Sequence, residues 1–148
     1  EKSKSGVIPV THKEMTRFSI TMNEAIEMAL WGLKYLNHGQ TLIPKLPSYR
    51  VLDLAKIFEK CKIEFVGIRQ GEKIHEDLIG TAESLYTIET KKYYILYPNS
   101  NKEKINSLQK KMNGKKVEKN FSYSSGKNDK FLNKKELTKI INSIKQLD

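Results

Sequence analysis

The chain has 148 residues, 27 Lys and Arg against 17 Asp and Glu, a net charge of +10 and a pI near 9.6. That length fits one domain, and 38% hydrophobic residues build a modest core. A mean hydropathy of −0.58 and the lack of an apolar run of about 18 residues exclude a membrane-spanning helix.

The single cysteine, Cys61, excludes an internal disulfide and any multi-cysteine zinc site. The polar start, residues 1–5, does not read as a signal peptide. A reducing, cytoplasmic compartment is the expectation.

Ile8-Pro9-Val10-Thr11 and residues 17–21 read as short extended segments around a polar turn. Thr21 and Glu24 form a capping box that opens the clearest helix. Its expected inward face is Ile26, Leu30, Leu33 and Leu36, widened by Met22, Ala25, Ala29 and Trp31, with Gly39 near its end. Thr41-Leu42-Ile43 predicts a strand stopped by Pro44 and Pro47. A second helix is expected over residues 48–60, with Val51, Leu52, Leu54, Ala55 and Phe58 inward.

Residues 62–68 alternate as a half-buried strand, and residues 69–73 form a polar loop. A short helix over 74–79 and a strand over 92–97 complete a mixed α/β order, and no internal repeat is present. Beyond Pro98 the chain turns lysine-rich, with helical spacing around Ile105, Leu108 and Met112 and a loop over 121–126. A last helix is predicted from Asn133, capped with Glu136 and burying Leu137, Ile140, Ile141 and Ile144. Composition therefore divides the chain into residues 1–97 and a lysine-rich appendage, 98–148, docked by one helix face.

The charge follows the same division. Residues 1–90 balance nine Lys and three Arg against twelve acids, whereas 91–148 hold fifteen Lys, no Arg and five acids. A polyanion-binding domain is one reading of that tail, since each phosphate neutralised releases counterions. The lack of Arg, the residue suited to phosphate forks and base edges, argues against nucleic acid, and a solvated lysine face is the simpler account.

Arg is scarce, so its placement is informative. Arg17 enters a strand, and Arg69 opens the loop that holds Gly71 and Glu72. Two guanidinium forks suit a diphosphate, and a carboxylate suits ribose hydroxyls. A surface Arg69–Glu72 ion pair explains the spacing equally well. His75 and Glu76, adjacent on an expected helix, point about 100° apart and read as cap or packing groups rather than a metal or acid–base pair. His12 and His38 read as surface residues.

The strings Ile8-Pro9-Val10-Thr11-His12-Lys13-Glu14-Met15-Thr16-Arg17-Phe18, Ile43-Pro44-Lys45-Leu46-Pro47-Ser48 and Gly67-Ile68-Arg69-Gln70-Gly71-Glu72-Lys73-Ile74-His75-Glu76 carry a resemblance. They resemble the C-terminal part of bacterial polysaccharide-biosynthesis nucleotide-sugar dehydratases. The nearest type is the inverting UDP-N-acetylglucosamine 4,6-dehydratase, an extended short-chain dehydrogenase/reductase. Tyr123-Ser124-Ser125-Gly126-Lys127-Asn128 is similar to the tail of that subgroup.

The resemblance implies a mixed α/β substrate-binding portion without the Rossmann cofactor half. By it, Arg17 and Arg69 hold the pyrophosphate of a UDP-sugar, Glu72 binds the uridine ribose, and extended backbone at Val10 and Thr11 flanks the uracil. It gives Lys45 no derivable task beyond a structural one. Full-length members use NADP to oxidise the sugar at C4 and eliminate water across C5 and C6. No cofactor is expected on this chain, since no two of its glycines are spaced as G-x-G, and no catalytic or metal residue is assigned. Tyr123 and Lys127 spell the catalytic Tyr-x-x-x-Lys spacing, but Ser-Ser-Gly is a poor helix interior, so the match reads as coincidence.

The function expected is thus the UDP-hexose-binding part of a dehydratase or epimerase, inactive alone. The alternatives are a non-enzymatic interaction domain derived from the family and the polyanion-binding domain. The expected partners are a UDP-sugar, the missing half or another chain, and a second copy of itself, with no membrane.

Overall fold

The structure is a computed structural model that describes residues 6–97 and 102–145. The polar start, the boundary at Pro98 and residues 146–148 lie outside the described residues. Two compact units are formed, each assembled from separate stretches of chain.

The first unit takes residues 6–19, 47–76 and 125–145. Strand β1 (Val7–Val10) runs parallel to a later strand, Lys62–Phe65, with Val10 opposite Phe65. Strand β2 (Thr16–Phe18) is antiparallel to the segment Ser48–Arg50, with Arg17 opposite Tyr49. Ser48–Arg50 was expected to begin a helix and is a strand. The reason is non-local: buried Ser48 donates its N–H to the Lys130 carbonyl (2.8 Å), accepts the Leu132 N–H (2.7 Å), and takes the Asn128 side-chain amide on its hydroxyl (3.0 Å). The helix that follows is only Val51–Ala55, with Ala55 buried.

The last helix, Lys134–Lys145, is capped as expected, Asn133 and Glu136 each bonding the other's backbone N–H. It buries Leu137 and leaves Ile144 exposed, contrary to the expected face.

The second unit takes residues 20–46 and 77–124. Helix α1 (Met22–Tyr35) has the predicted capping box, with Thr21 Oγ1 accepting the Glu24 N–H and Glu24 Oε2 accepting the Thr21 N–H. Strand β3 (Thr41–Pro44) lies at the edge of an antiparallel sheet. In chain order the remaining elements are β4 (Ser48–Arg50), α2 (Val51–Ala55), β5 (Lys62–Phe65), β6 (Asp77–Ile79), a 3₁₀ helix (Thr81–Tyr86), β7 (Thr87–Glu89), β8 (Tyr93–Leu96), α3 (Lys102–Lys111), β9 (Lys115–Lys116), β10 (Tyr123–Ser124) and α4 (Lys134–Lys145).

The sheet order is β3-β8-β7-β9, and β6 pairs separately with β10. Residues 74–79 are therefore not the expected helix, and the expected loop over 121–126 contains a short strand. Both departures have one cause: Tyr123 pairs with Ile79 across 44 positions of sequence.

Ile88 and Ile95 are fully buried against Ile105 and Leu108 of α3, with Trp31, Leu36, Leu42, Tyr86, Tyr97 and Met112 around them. Each fully buried aliphatic side chain contributes about 2 kcal/mol. Of the expected inward face of α1, Trp31 and Leu36 pack on the core and the rest of the stripe does not. Met22 is 75% exposed, Ile26 51%, Leu30 62% and Leu33 84%, whereas Trp31 packs on Tyr93 with ring centroids 4.8 Å apart. No residue of α1 is buried.

Candidate functional site

The residues singled out by spacing fall in the first unit. β1 and β5 run parallel, so Val10 and Phe65 end them side by side, and the Val66 N–H donates to the Val10 carbonyl (3.0 Å). Ligands of open parallel sheets bind beyond such carboxyl ends. Val10 is buried as the last residue of β1, and the chain bends at Thr11, whose hydroxyl contacts the Met15 sulfur (3.1 Å). The extended backbone expected at both positions stops at Val10.

Beyond β5 the chain turns tightly at residues 69–72. The Glu72 N–H donates to the Arg69 carbonyl (3.1 Å), and Gly71 takes φ +83°, the positive value that a type II turn needs at its third position. Glu72 then reaches back, its Oε2 accepting the Arg69 N–H (3.1 Å). The carboxylate thus fixes the turn's backbone instead of pairing with the guanidinium. Among the described residues the Arg69 side chain, which is exposed, makes no hydrogen bond or ion pair.

Arg17 is held differently. Its Nη1 donates to the Thr16 carbonyl (2.7 Å) and the Ile74 carbonyl (3.3 Å), and its Nε lies 3.4 Å from Glu76 Oε1. Among the described residues Nη2 has no protein partner. The Ile74 carbonyl also accepts the Thr16 N–H (2.9 Å), which ties the chain two residues beyond Glu72 to Arg17's own strand. Across the β2–β4 ladder from Arg17 stands Tyr49. Burial pushes its phenol up, and the Arg17 charge offsets part of that.

His75 and Glu76 are not on a helix, but they do serve packing. His75 Nδ1 shares a hydrogen bond with Thr16 Oγ1 (2.8 Å), and Glu76 holds Arg17. Thr16, Glu76 and Ser125 are therefore site neighbours that spacing alone did not reveal. The Gly67–Glu76 string contained one of them, misplaced on a helix.

The Tyr-x-x-x-Lys spacing has a structural explanation. Tyr123 lies in β10, and its hydroxyl both donates to the Leu46 carbonyl (2.9 Å) and accepts the Leu46 N–H (2.7 Å). Burial raises its pKa, and the backbone bond with Leu46 offsets part of that. Lys45 also has a structural partner, its Nζ lying 2.7 Å from Glu89 Oε1 and over the Tyr94 ring. Among the described residues no group of three His, Cys, Asp or Glu is placed to hold a metal. No described helix is long and apolar enough to cross a membrane.

The family described as "Polysaccharide biosynthesis protein" matches residues 1–98. The chain belongs to that family. Its relatives include the inverting UDP-N-acetylglucosamine 4,6-dehydratase of Campylobacter jejuni subsp. jejuni serotype O:2, 37% identical over 91% of this chain and 42% of the relative. A Methanocaldococcus jannaschii protein described as an uncharacterized membrane protein is 32% identical over 97% of this chain and 43% of its own length. The UDP-glucose 4-epimerase of Rickettsia bellii is 29% identical over 59% of this chain.

Within the same fold, the solved structure of Pen from Bacillus thuringiensis matches with a TM-score of 0.79 and 26% identity, over 99% of this chain and 43% of that one. This family member thus spans about four tenths of the length of the curated relatives it matches most fully. The expected class, a mixed α/β part of an extended short-chain dehydrogenase/reductase, agrees with the elements and with this likeness. The chain is related to enzymes of polysaccharide biosynthesis.

Proposed function

We propose that this chain holds the nucleotide diphosphate of a UDP-hexose for a 4,6-dehydratase or epimerase of glycan biosynthesis, and that it performs no turnover alone. One observation carries the reading: Arg69 stands on a turn whose backbone is fixed by Glu72, with its guanidinium uncommitted among the described residues. A planar, permanently charged fork in that state suits two phosphate oxygens. Arg17 supplies Nη2 from β2, Glu72 offers Oε1 to a ribose hydroxyl, and Val10 and Thr11 lie beside the base. The UDP-sugar named in the dehydratase relative supports the same ligand class.

NADP belongs to the activity of full-length members, but these residues do not fit it. β1 runs into the bend at Thr11 and β5 into the 69–72 turn, and neither leads through glycines into a helix N-terminus. No step is drawn through that cofactor.

The test is titration of the whole chain with UDP and with uridine, followed by amide NMR. UDP is expected to bind weakly and to perturb residues 66–76. Arg69→Ala is expected to weaken UDP about tenfold while leaving uridine unchanged, the size of one charge-assisted hydrogen bond. Equal UDP affinity in the variant would refute the reading.

A second reading rests on α1. The stripe Met22, Ile26, Leu30 and Leu33 is exposed along α1, and β3 is an edge strand of its sheet among the described residues. Apolar surface of this kind marks a protein–protein contact. Its occupant on this reading is the part of a relative-length protein that this chain does not span, or another chain, a second copy included.

A further inference from the structure

We infer that Glu76, itself clamped by Ser125, is the positioning residue of the diphosphate site. The inference rests on the reading of Arg17 given above and extends it to a segment with no assigned task.

A free arginine side chain samples many rotamers, and freezing them on binding weakens a ligand. Arg17 escapes most of that cost because three acceptors already define its guanidinium. Nη1 is fixed by the Thr16 and Ile74 carbonyls, and Glu76 Oε1 faces Nε. Nη2 is the one nitrogen these contacts leave to a ligand.

Glu76 is held in turn from a distant stretch of chain. Its N–H donates to Ser125 Oγ (2.9 Å), and its carbonyl accepts the Ser125 N–H (2.8 Å). Ser125 Oγ also lies 2.7 Å from Thr16 Oγ1, which lies 2.8 Å from His75 Nδ1. One arrangement uses every hydroxyl hydrogen: Ser125 donates to Thr16, and Thr16 donates to His75. Ser125 is fully buried and Thr16 nearly so, which shields the bond between their hydroxyls from water, whereas His75 at the end of this chain of hydrogen bonds is exposed. A single serine thereby fixes both neighbours of Arg17, the carbonyl-bearing Thr16 and the carboxylate-bearing Glu76. Ser125 belongs to the Tyr-x-x-x-Lys string, which contributes positioning rather than catalysis.

The experiment reads Arg17 directly. The chain has three arginines, Arg17, Arg50 and Arg69, so their side-chain Nε–Hε signals are resolvable by 15N NMR, and Arg17→Lys identifies one of them. In the wild type the Arg17 signal is expected to exchange slowly with water. In Glu76→Gln and in Ser125→Ala it is expected to shift and to exchange at least about fivefold faster, with Arg50 and Arg69 unmoved. An unmoved Arg17 signal overturns the proposal.

A second arm measures UDP against uridine. Glu76→Gln is expected to weaken UDP about three- to tenfold and uridine not at all. A merely structural role would lower the melting temperature and weaken both ligands alike, which overturns the proposal. If Arg17→Ala leaves UDP binding unchanged, the diphosphate reading itself fails. If Arg17→Ala weakens UDP and Glu76→Gln does not, only the positioning role fails. Should Ser125→Ala not fold, Glu76→Gln alone decides.

Discussion

Glu89 carries two lysines on one carboxylate, Lys45 at 2.7 Å and Lys115 at 3.2 Å. Burial raises its pKa, but the hydrogen bonds and charges of Lys45 and Lys115 outweigh burial and hold it below the ordinary 4.5. A depressed folded-state value means that the stabilisation is present above that ordinary value and lost as pH falls through the folded one. Glu89→Gln is therefore expected to cost about 1 kcal/mol at neutral pH, in line with a partly buried pair. Urea unfolding across pH 7 to 3 should show the gap between wild type and variant closing in acid. A gap constant over that range would mean that the lysines hold the side chain by packing and not by charge.

Gly126 gives a second residue-scale test. A Cβ there would lie 2.6 Å from Cγ and Nδ1 of His75, whose ring bonds Thr16. Gly126→Ala should cost about 1–3 kcal/mol through overpacking. His75→Ala in the same chain should recover part of it, a coupling that a double-mutant cycle measures. Local pairs of this scale are partly visible in sequence: Thr21 with Glu24 and Asn133 with Glu136 cap their helices as spacing predicts. Arg69 with Glu72 shows the limit, because spacing cannot tell a carboxylate that meets a guanidinium from one that meets the backbone N–H of the same residue.

At the scale of elements, periodicity found α1, α3, α4, β3 and β8 but not which side of α1 is covered. Apolar residues occur around most of α1, and Trp31 and Leu36, not Ile26, Leu30 and Leu33, join the core cluster. β4 and β6 lie where the spacing predicts helix, because their partners are remote: β4 is bonded by residues 128–132 and β6 by β10. Segments this short hold too few residues for a period to declare itself, and only the partner decides.

The exposed stripe on α1 yields an expectation. Leu30→Glu with Leu33→Glu should leave thermal stability within about 0.5 kcal/mol, as surface changes do. Trp31→Ala should cost about 2–3 kcal/mol. Light scattering over a concentration series should show less association in the charged variant than in the wild type. A large melting loss in the charged variant would place the stripe inside the fold.

For the whole molecule, the two units interleave along the chain, and each is completed by residues beyond 97. The first unit receives Ser125, Asn128, Lys130 and Leu132 as backbone or side-chain partners of Glu76 and Ser48, together with buried Leu137. The second receives Ile105 and Leu108 in its core, β9 beside β7, and β10 beside β6. A shift in composition marks solvation, and it says nothing of where contacts lie, which is why the lysine-rich stretch reads as an appendage in sequence.

Truncation after residue 97 removes those contacts from both units at once. The loss of Ile105 and Leu108 alone uncovers Ile88 and Ile95, at about 2 kcal/mol for each buried side chain. Domains of this size hold only about 5–15 kcal/mol in reserve. The 1–97 fragment is therefore expected to lack a cooperative melting transition and dispersed amide signals, measured by circular dichroism and NMR against the full chain. A fragment that melts cooperatively would show that the lysine-rich stretch is dispensable to the fold, and would remove Ser125 from any role in holding Arg17.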